Sequence, residues 1–261
     1  MISDKKIIIG NWKMNLNLHE ASLYLHKLAG LVKVRRDVEV VLAPTVLTLQ
    51  SLSLQVDLKQ FKLAAQNFYW RDAGSYTGEV SASQLRGIVQ YGIIGHSERR
   101  YIFNESEKDM RNKVAAAIRN GIRPVLCIGE TAWEKSNNET RDVLRDQLES
   151  GLANVTSHDL KNVIIAYEPV WSVGTGNNAL PMDVLIAVKV IRDQISELYG
   201  KKASDLVTVL YGGSITVDSA SSYLSLPGIN GLIIGADSLN SYTFSEIIKK
   251  AHVGSSLAKN K

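Results

Sequence analysis

The sequence predicts an α/β fold, a (β/α)8 barrel of eight parallel strands with outer helices. Short apolar runs alternate with stretches of helical spacing along the 261 residues. The runs are almost continuously apolar, as strands covered on both faces of a parallel sheet require. A chain of this length also matches the roughly 250 residues of one such barrel. We therefore expect a single domain over 1–261, with a loose tail at 254–261; a doubly wound open sheet is the structural alternative.

Eight runs rich in Val, Ile and Leu are predicted to be the strands. The first, KIIIG, and the last, GLIIGA, are typical, because each is short, β-branched and bounded by glycine. In chain order the runs are 6–10, 38–44, 61–66, 91–95, 123–129, 162–167, 206–213 and 231–236.

Helices are predicted between and after these strands. The stretch EKDMRNKVAAAIRNG shows the signal, since Met110, Val114, Ala117 and Ile118 recur at helical spacing. Its Asn-Gly ending is a common helix stop. The predicted helices are 17–34, 46–56, 81–89, 105–120, 138–153, 182–199, 216–224 and 241–252.

Composition excludes several classes of function. With 45% hydrophobic and 21% charged residues the chain reads as an ordinary globular protein. Its net charge of +4 is spread too evenly to favour nucleic acid, and no run of 18 apolar residues predicts a membrane span. The single cysteine, Cys127, excludes an internal disulfide and indicates a reducing compartment. We expect a cytoplasmic protein with no nucleic-acid or membrane partner, and we read no metal site in its isolated histidines.

Polar and glycine-rich segments follow six of the predicted strands. In a parallel barrel the loops after the carboxyl ends of the strands carry the chemistry. These segments are NWKMN, HSERR, GE, EPVWSVGTG, GGSI and GADS, after the first, fourth, fifth, sixth, seventh and eighth strands.

Six motifs that include these segments resemble those of the triosephosphate isomerase family. They are GNWKMN (10–15), GHSERR (95–100), PVLCIGET (124–131), AYEPVWSVGTG (166–176), YGGSI (211–215) and GLIIGADSL (231–239), in that family's order. The resemblance implies a TIM barrel and a cytoplasmic homodimeric isomerase of glycolysis and gluconeogenesis. Such an enzyme interconverts dihydroxyacetone phosphate and D-glyceraldehyde 3-phosphate through an enediol(ate), without a cofactor.

The resemblance assigns catalytic roles to Glu168, His96, Lys13 and Asn11. Glu168 lies between a strand and Pro169, where a closing pocket would remove water from the carboxylate and strengthen it as a base. His96 opens a helix start, whose positive end disfavours imidazolium and leaves a neutral donor for a developing oxyanion. The cationic Lys13 and the Asn11 amide would bind the anionic substrate. Supporting roles fall to Glu98, which would pair with Lys13, and to Ser97, Cys127 and Leu239.

Three glycine-bearing loops are predicted to hold the phosphate. Glycine lets backbone N–H groups turn towards an anion, and a short helix after the eighth strand could point its positive end there. The residues assigned to substrate and phosphate are Asn11, Lys13, Gly174, Ser214, Gly235 and Ala236.

The segment from Pro169 to Gly176 is predicted to be a mobile lid, with a stiff N-terminal hinge at 169–171, a tip at 173–176 and a second hinge at 177–179. It comprises Pro169, Val170, Trp171, Ser172, Val173, Gly174, Thr175 and Gly176. Closure would exclude water, which matters because an enediol phosphate in water eliminates its phosphate. We expect Leu239 to pack with Val173 over Glu168.

The long loop 66–81 resembles the family's dimer loop. Thr77, Gly78 and Glu79 form its tip, and the resemblance places Thr77 near the active site of the partner subunit. Loops of this length usually have a function, so we expect a symmetric homodimer.

Four positions depart from the family pattern. Ala236 stands for a glycine, Ser172-Val173 for Ala-Ile, Asn177-Asn178 for Lys-Thr, and Asn104 for a glycine. Two other functions remain open from the residues alone. One is another phosphosugar barrel enzyme, although neither a metal-binding His/Asp set nor a deep Schiff-base lysine is evident. The other is a barrel that binds phosphate without catalysis.

Overall fold

The computed structural model describes the backbone of residues 5–257 and the side chains of residues 5–252. Within that range eight strands form one closed parallel barrel in chain order. The strands are β1 Lys6–Asn11, β2 Val38–Ala43, β3 Phe61–Ala65, β4 Tyr91–Ile94, β5 Arg123–Ile128, β6 Ile164–Tyr167, β7 Thr208–Tyr211 and β8 Gly231–Ile234. Because β8 pairs with β1 from Ile7↔Gly231 to Gly10↔Ile234, the sheet has no edge. The barrel prediction is confirmed, and the open sheet is excluded.

Alternation along the strands divides the core into an inner and an outer layer. In β1, Ile7 and Ile9 belong to the inner cluster, while Ile8 packs outward against the helices. In β6, Ala166 faces inward and Tyr167 outward. Successive side chains of a strand point to opposite faces, so the next residue, Glu168, is directed back into the mouth of the barrel.

Eleven α-helices surround the barrel within the described residues. They are α1 Leu18–Leu31, α2 Val46–Ser53, α3 Ala82–Leu85, α4 Ser97–Tyr101, α5 Glu107–Arg119, α6 Ala132–Ser136, α7 Thr140–Leu152, α8 Pro181–Tyr199, α9 Lys201–Leu206, α10 Val217–Leu224 and α11 Ser241–Leu257. Two short 3-10 helices lie at Leu160–Asn162 and Ala236–Ser238. The second of these is the short helix expected after the eighth strand.

Three helical details differ from the sequence prediction. Helix α3 covers only part of 81–89, because Arg86 has non-helical backbone angles and Gly87 has a φ of 85°. Helices α6 and α9 were not predicted. Helix α11 reaches Leu257, so residues 254–257 of the expected tail are helical, and residues 258–261 lie outside the described residues.

Asn104 follows α4 in the left-handed region, with a φ of 53°. Glycine adopts this conformation at no steric cost, and asparagine is one of the few other residues that tolerate it. The departure at this position therefore preserves the backbone path.

Along residues 5–257, none of the helices combines the length and apolar character needed to cross a membrane.

Candidate active site

A cavity of about 160 Å³ opens at the carboxyl ends of the strands. It brings together predicted residues from β1, from the loops after β4, β7 and β8, and from the lid. The predicted residues that line it are Asn11, Lys13, His96, Glu168, Val173, Gly174, Ser214, Gly235 and Ala236. Residues from distant parts of the chain thus converge on one small, polar space, which is the arrangement expected of a ligand site.

Glu168 is the most deeply buried acid of this cavity, with 2% of its surface exposed. Its backbone N–H donates to Ile128 O at 2.8 Å, which continues the β5–β6 pairing past the end of the strand. Its carboxylate accepts a hydrogen bond from the Ser97 N–H at 3.3 Å, at the first turn of α4. This hydrogen bond is consistent with the predicted supporting role of Ser97.

Two glycines make room for Glu168. A Cβ on Gly129 would lie 1.8 Å from Glu168 O, and a Cβ on Gly212 would lie 2.8 Å from Glu168 Cγ. Gly129 is itself held by the buried Gln147 side chain, whose Oε1 accepts from the Gly129 N–H at 2.8 Å. The position of the carboxylate thus depends on the absence of side chains on the two neighbouring strands.

Cys127 lies under the same carboxylate on β5. Its side chain is buried, and burial together with the adjacent Glu168 charge raises the pKa of the Cys127 thiol well above its usual value. The thiol is therefore neutral beside the Glu168 carboxylate.

His96 is the N-cap of α4. Its Nδ1 accepts the Glu98 N–H at 3.2 Å, so Nδ1 carries the lone pair and the neutral ring carries its proton on Nε2. Nε2 lies 3.5 Å from Glu168 Oε1. The ring is thus oriented with a donor towards the cavity.

Lys13 and Glu98 form the ion pair expected from the sequence, with 2.7 Å between Nζ and Oε1. Lys13 has a φ of 52°, in the left-handed region, which is strained for a side chain of this size. Two contacts hold it there: the Asn11 side chain accepts the Lys13 N–H at 3.2 Å, and Gln66 Nε2 donates to Lys13 O at 2.9 Å. Asn11 and Gln66 therefore position the ammonium group.

The end of the cavity that was predicted to hold the phosphate is built from the loops after β7 and β8. Ala236 begins the 3-10 helix, whose backbone angles any L-residue adopts, so alanine carries no conformational penalty there. Thr216 caps α10, which points a second helix N-terminus at the same region. Amide-lined turns and helix N-termini of this kind bind anions.

The predicted lid segment, Pro169 to Gly176, is held at its base by side-chain hydrogen bonds. Trp171 Nε1 donates to Glu130 Oε1 at 2.8 Å, and Ser172 Oγ donates to Asn177 O at 2.6 Å. Ser172 Oγ also accepts the Ser214 N–H at 3.3 Å, which links the lid to the β7 loop. Gly174 and Gly176, at the tip, have φ values of 70° and 76° that only glycine adopts easily.

Glu130 was not predicted as a site residue, although its motif was noted. It is buried, and burial raises its pKa against the opposing hydrogen bonds from Trp171 and Tyr167 and the charge of Lys135. Glu130 and Trp171 lie 41 positions apart, so no local spacing indicates their contact, which depends on the pairing of β5 with β6.

Asp237 also lines the cavity and was missed. It directly follows Ala236, so the signal was available: an acid next to a predicted phosphate loop. A carboxylate here opposes an anionic ligand.

Some predicted residues lie elsewhere. Leu239 packs at the margin of the outer core, and its contact with Val173 stays a prediction. Thr77, Gly78 and Glu79 are exposed in the loop after β3, outside this cavity. Among residues 5–252, the structure brings no three His, Cys, Asp or Glu side chains together as a metal-binding group.

The fold and the cavity define a class: a (β/α)8 barrel with an acid, an imidazole and amide-lined loops at the carboxyl ends of its strands. Comparison with known proteins narrows that class. A family model described as triosephosphate isomerase matches residues 6–251. The chain belongs to the triosephosphate isomerase family.

Curated relatives of the same name cover nearly the whole chain. The triosephosphate isomerase of Caldanaerobacter subterraneus subsp. tengcongensis is 38% identical over 94% of this chain and 98% of its own. The enzyme of Chloroherpeton thalassium is 40% identical over 95% of this chain and 99% of its own. The enzyme of Thermodesulfovibrio yellowstonii is 37% identical over 94% of this chain and 99% of its own.

Proposed function

We propose that this chain is an isomerase that interconverts dihydroxyacetone phosphate and D-glyceraldehyde 3-phosphate by proton transfer through an enediol(ate), in glycolysis and gluconeogenesis. The family membership supports this activity. The observation that carries it is the convergence of Glu168, His96 and Lys13 on one cavity at the carboxyl ends of the strands.

Glu168 is the base in this mechanism. It takes a proton from C1 of the ketose; the C1–H electron pair forms the C1–C2 double bond, and the π pair of the carbonyl moves onto its oxygen, O2. A proton then passes from O1 to O2, and the carboxylic acid of Glu168 returns its proton to C2 as the C1–O1 double bond forms, which gives the aldose. Burial of the carboxylate at the mouth of the barrel excludes water from this transfer.

His96 and Lys13 stabilise the oxygens of the enediolate. The orientation of His96, with Nδ1 occupied by the Glu98 N–H, supports donation from Nε2 to an oxyanion. The Lys13 ammonium provides a second, charged donor, and Glu98 and Asn11 position it. Because these donors are fixed before the reaction, they reorganise little as charge develops.

The phosphate is bound by backbone N–H groups of Gly174, Ser214, Gly235 and Ala236. The Ser214 N–H donates to the Ser172 hydroxyl in this structure. Phosphate binding therefore exchanges that bond for one to the ligand, and the lid moves with Ser172.

A homodimer is part of the proposal. A second cavity lies beside the loop after β3, lined by Gly78, Glu79, Met14 and Val46 among others. Met14 is 93% exposed and directly follows Lys13. Exposed apolar side chains around a groove mark an interaction surface, and the loop tip of a second copy is the proposed occupant. Analytical ultracentrifugation tests this: a monomer at micromolar concentration would contradict it.

We also propose that the protein works in the cytoplasm without a cofactor. The single cysteine is a free, buried thiol, which is consistent with a reducing compartment.

Glyceraldehyde 3-phosphate turnover by purified protein in the presence of a chelator tests the function. We expect kcat/KM near the diffusional ceiling of about 10⁸ M⁻¹s⁻¹. Glu168→Asp keeps the charge but withdraws the carboxylate by one methylene, so kcat should fall by about 100-fold or more. Saturable binding of inorganic phosphate without wild-type turnover would contradict the proposal and leave a barrel that only binds phosphate.

A further inference from the structure

Lys135 lies on α6, outside the cavity, and contacts both ends of the lid region. Its ammonium group sits 3.6 Å from the centroid of the Trp171 ring. The same group lies 3.2 Å from Asp183 Oδ1 on α8. One side chain therefore bridges Trp171, near the N-terminal end of the lid, and the helix that follows the lid.

The Trp171 contact fixes the N-terminal hinge. The indole edge is already held, because Nε1 donates to the buried Glu130 at 2.8 Å. The Lys135 ammonium covers the ring face, where the quadrupole of an indole attracts a cation. Edge and face contacts together define the orientation of the ring, and through it the path of the chain into the lid.

The Asp183 contact fixes the C-terminal hinge. Asp183 lies in the first turn of α8, and its Oδ2 accepts the Leu180 N–H at 3.2 Å. This acid therefore determines where the chain leaves the hinge at 177–179 and enters the helix. The Lys135 ammonium group pairs with Oδ1, the other oxygen of Asp183, and so balances the charge of this acid at the C-terminal end of the lid.

We propose that Lys135 is a positioning residue for the lid, which ties its two hinges to α6 so that the lid moves about fixed ends. This inference rests on the proposed function and deepens it. Lys135 touches no reacting atom; it acts through Trp171 and Asp183. A lid with loosened ends spends more time away from the bound enediolate, which then loses its phosphate to water.

The consequence is a change in product partition. When the C–O bond to phosphate breaks in the enediolate, inorganic phosphate leaves with the electron pair and the remaining enol tautomerises to a dicarbonyl. The Lys135 and Asp183 side chains are 35% and 30% exposed, so the effect of losing their ion pair is modest. We expect phosphate release per isomerisation to rise by about three- to tenfold when the charge is removed.

Three variants test the proposal. Lys135→Met removes the charge and keeps an apolar stem, whereas Lys135→Arg keeps a cation that can stack on the ring and pair with the acid. Lys189→Met is the matched control, because Lys189 makes an ion pair of 2.6 Å with Asp193 on the exposed side of α8. Inorganic phosphate release and isomer formation are measured together, with the unfolding midpoint in urea.

The expected result is a raised phosphate ratio in Lys135→Met alone, with Lys135→Arg within about twofold of wild type. A folded Lys135→Met variant with an unchanged ratio overturns the proposal, and so does an equal rise in Lys189→Met. A lower unfolding midpoint with an unchanged ratio would show a merely structural ion pair.

A second readout separates this inference from the proposed function. The protein is labelled with 5-fluorotryptophan, and the Trp171 resonance is assigned by Trp171→Phe. Inorganic phosphate is then titrated into wild type and Lys135→Met. If wild type fails to isomerise triose phosphates, the proposed function fails. The lid role is still supported if the phosphate-induced shift of the Trp171 resonance differs between the two proteins. Identical resonances overturn it.

Discussion

Replacement of Gly129 by alanine should abolish most activity while leaving the barrel folded. The added Cβ would lie 1.8 Å from Glu168 O and 2.6 Å from Glu168 C. Real Cβ atoms essentially never approach a heavy atom within 3.0 Å, so the segments that carry Gly129 and Glu168 must separate by more than an ångström at this point. The affected atoms belong to the backbone of Glu168, the proposed base, so a change of side-chain rotamer cannot relieve the clash.

The magnitude follows from that displacement. A misplacement of about 1 Å at a reacting group costs on the order of 100-fold in rate. Overpacking at a buried site also costs about 1–3 kcal/mol of stability. Because the clash moves the base and leaves the phosphate loops in place, the loss should fall on kcat, with KM for glyceraldehyde 3-phosphate within about threefold of wild type.

Steady-state kinetics and urea unfolding measure the two effects separately. Gly30→Ala is the matched control, since a Cβ at Gly30 meets nothing within 4 Å and the residue lies inside α1. It should keep full activity and gain up to about 1 kcal/mol of stability. A folded Gly129→Ala protein with wild-type kcat would refute the argument that this glycine positions Glu168.

Three further changes should have smaller effects. Asp237→Asn removes a carboxylate from the proposed phosphate end of the cavity, so KM should fall by about three- to tenfold. Asp205→Asn, at an exposed position, should leave KM unchanged. A raised KM in Asp237→Asn would show instead that this carboxylate assists binding. The raised pKa of Cys127 keeps its thiol protonated at pH 8, so Ellman's reagent should detect it only after unfolding. Rapid labelling at pH 8 in the folded state would contradict this. Because folding raises the thiol's pKa, its contribution to stability is complete below the unfolded pKa of about 8.5 and is lost as the pH rises above it. Asn104→Gly should be neutral or stabilising, whereas Asn104→Ala should cost about 1 kcal/mol at its positive φ, to be read from urea midpoints.

The strands and the position of the site could be predicted because their signals are local. Each β-strand is a short apolar run, and a barrel places the residue after the strand at the mouth. Glu168 and His96 were found in this way. The same reasoning located α5, where apolar spacing and an Asn-Gly stop agree with the structure.

The remaining features depend on contacts between distant segments. The left-handed backbone of Lys13 is maintained by Asn11 and Gln66, and no local pattern predicts φ for a lysine. Helix α6 was missed although Thr131 and Glu134 form a capping box at its start, because the helix is too short for periodicity to register. Lys135 contacts Trp171 and Asp183 only because the barrel brings α6, the loop after β6 and the start of α8 together.

The pairing of β1 with β8 bears on how this chain is made. Ile7 of the first strand pairs with Gly231 of the last, so 224 positions separate the partners that close the sheet. At about 5–20 residues per second, a ribosome needs roughly 11–45 s to deliver the eighth strand after the first. Throughout that time one side of β1 has unpaired amide and carbonyl groups, which can template aggregation. The nascent chain therefore depends on β2, on early-formed helices or on a chaperone to shield that strand until translation is nearly complete.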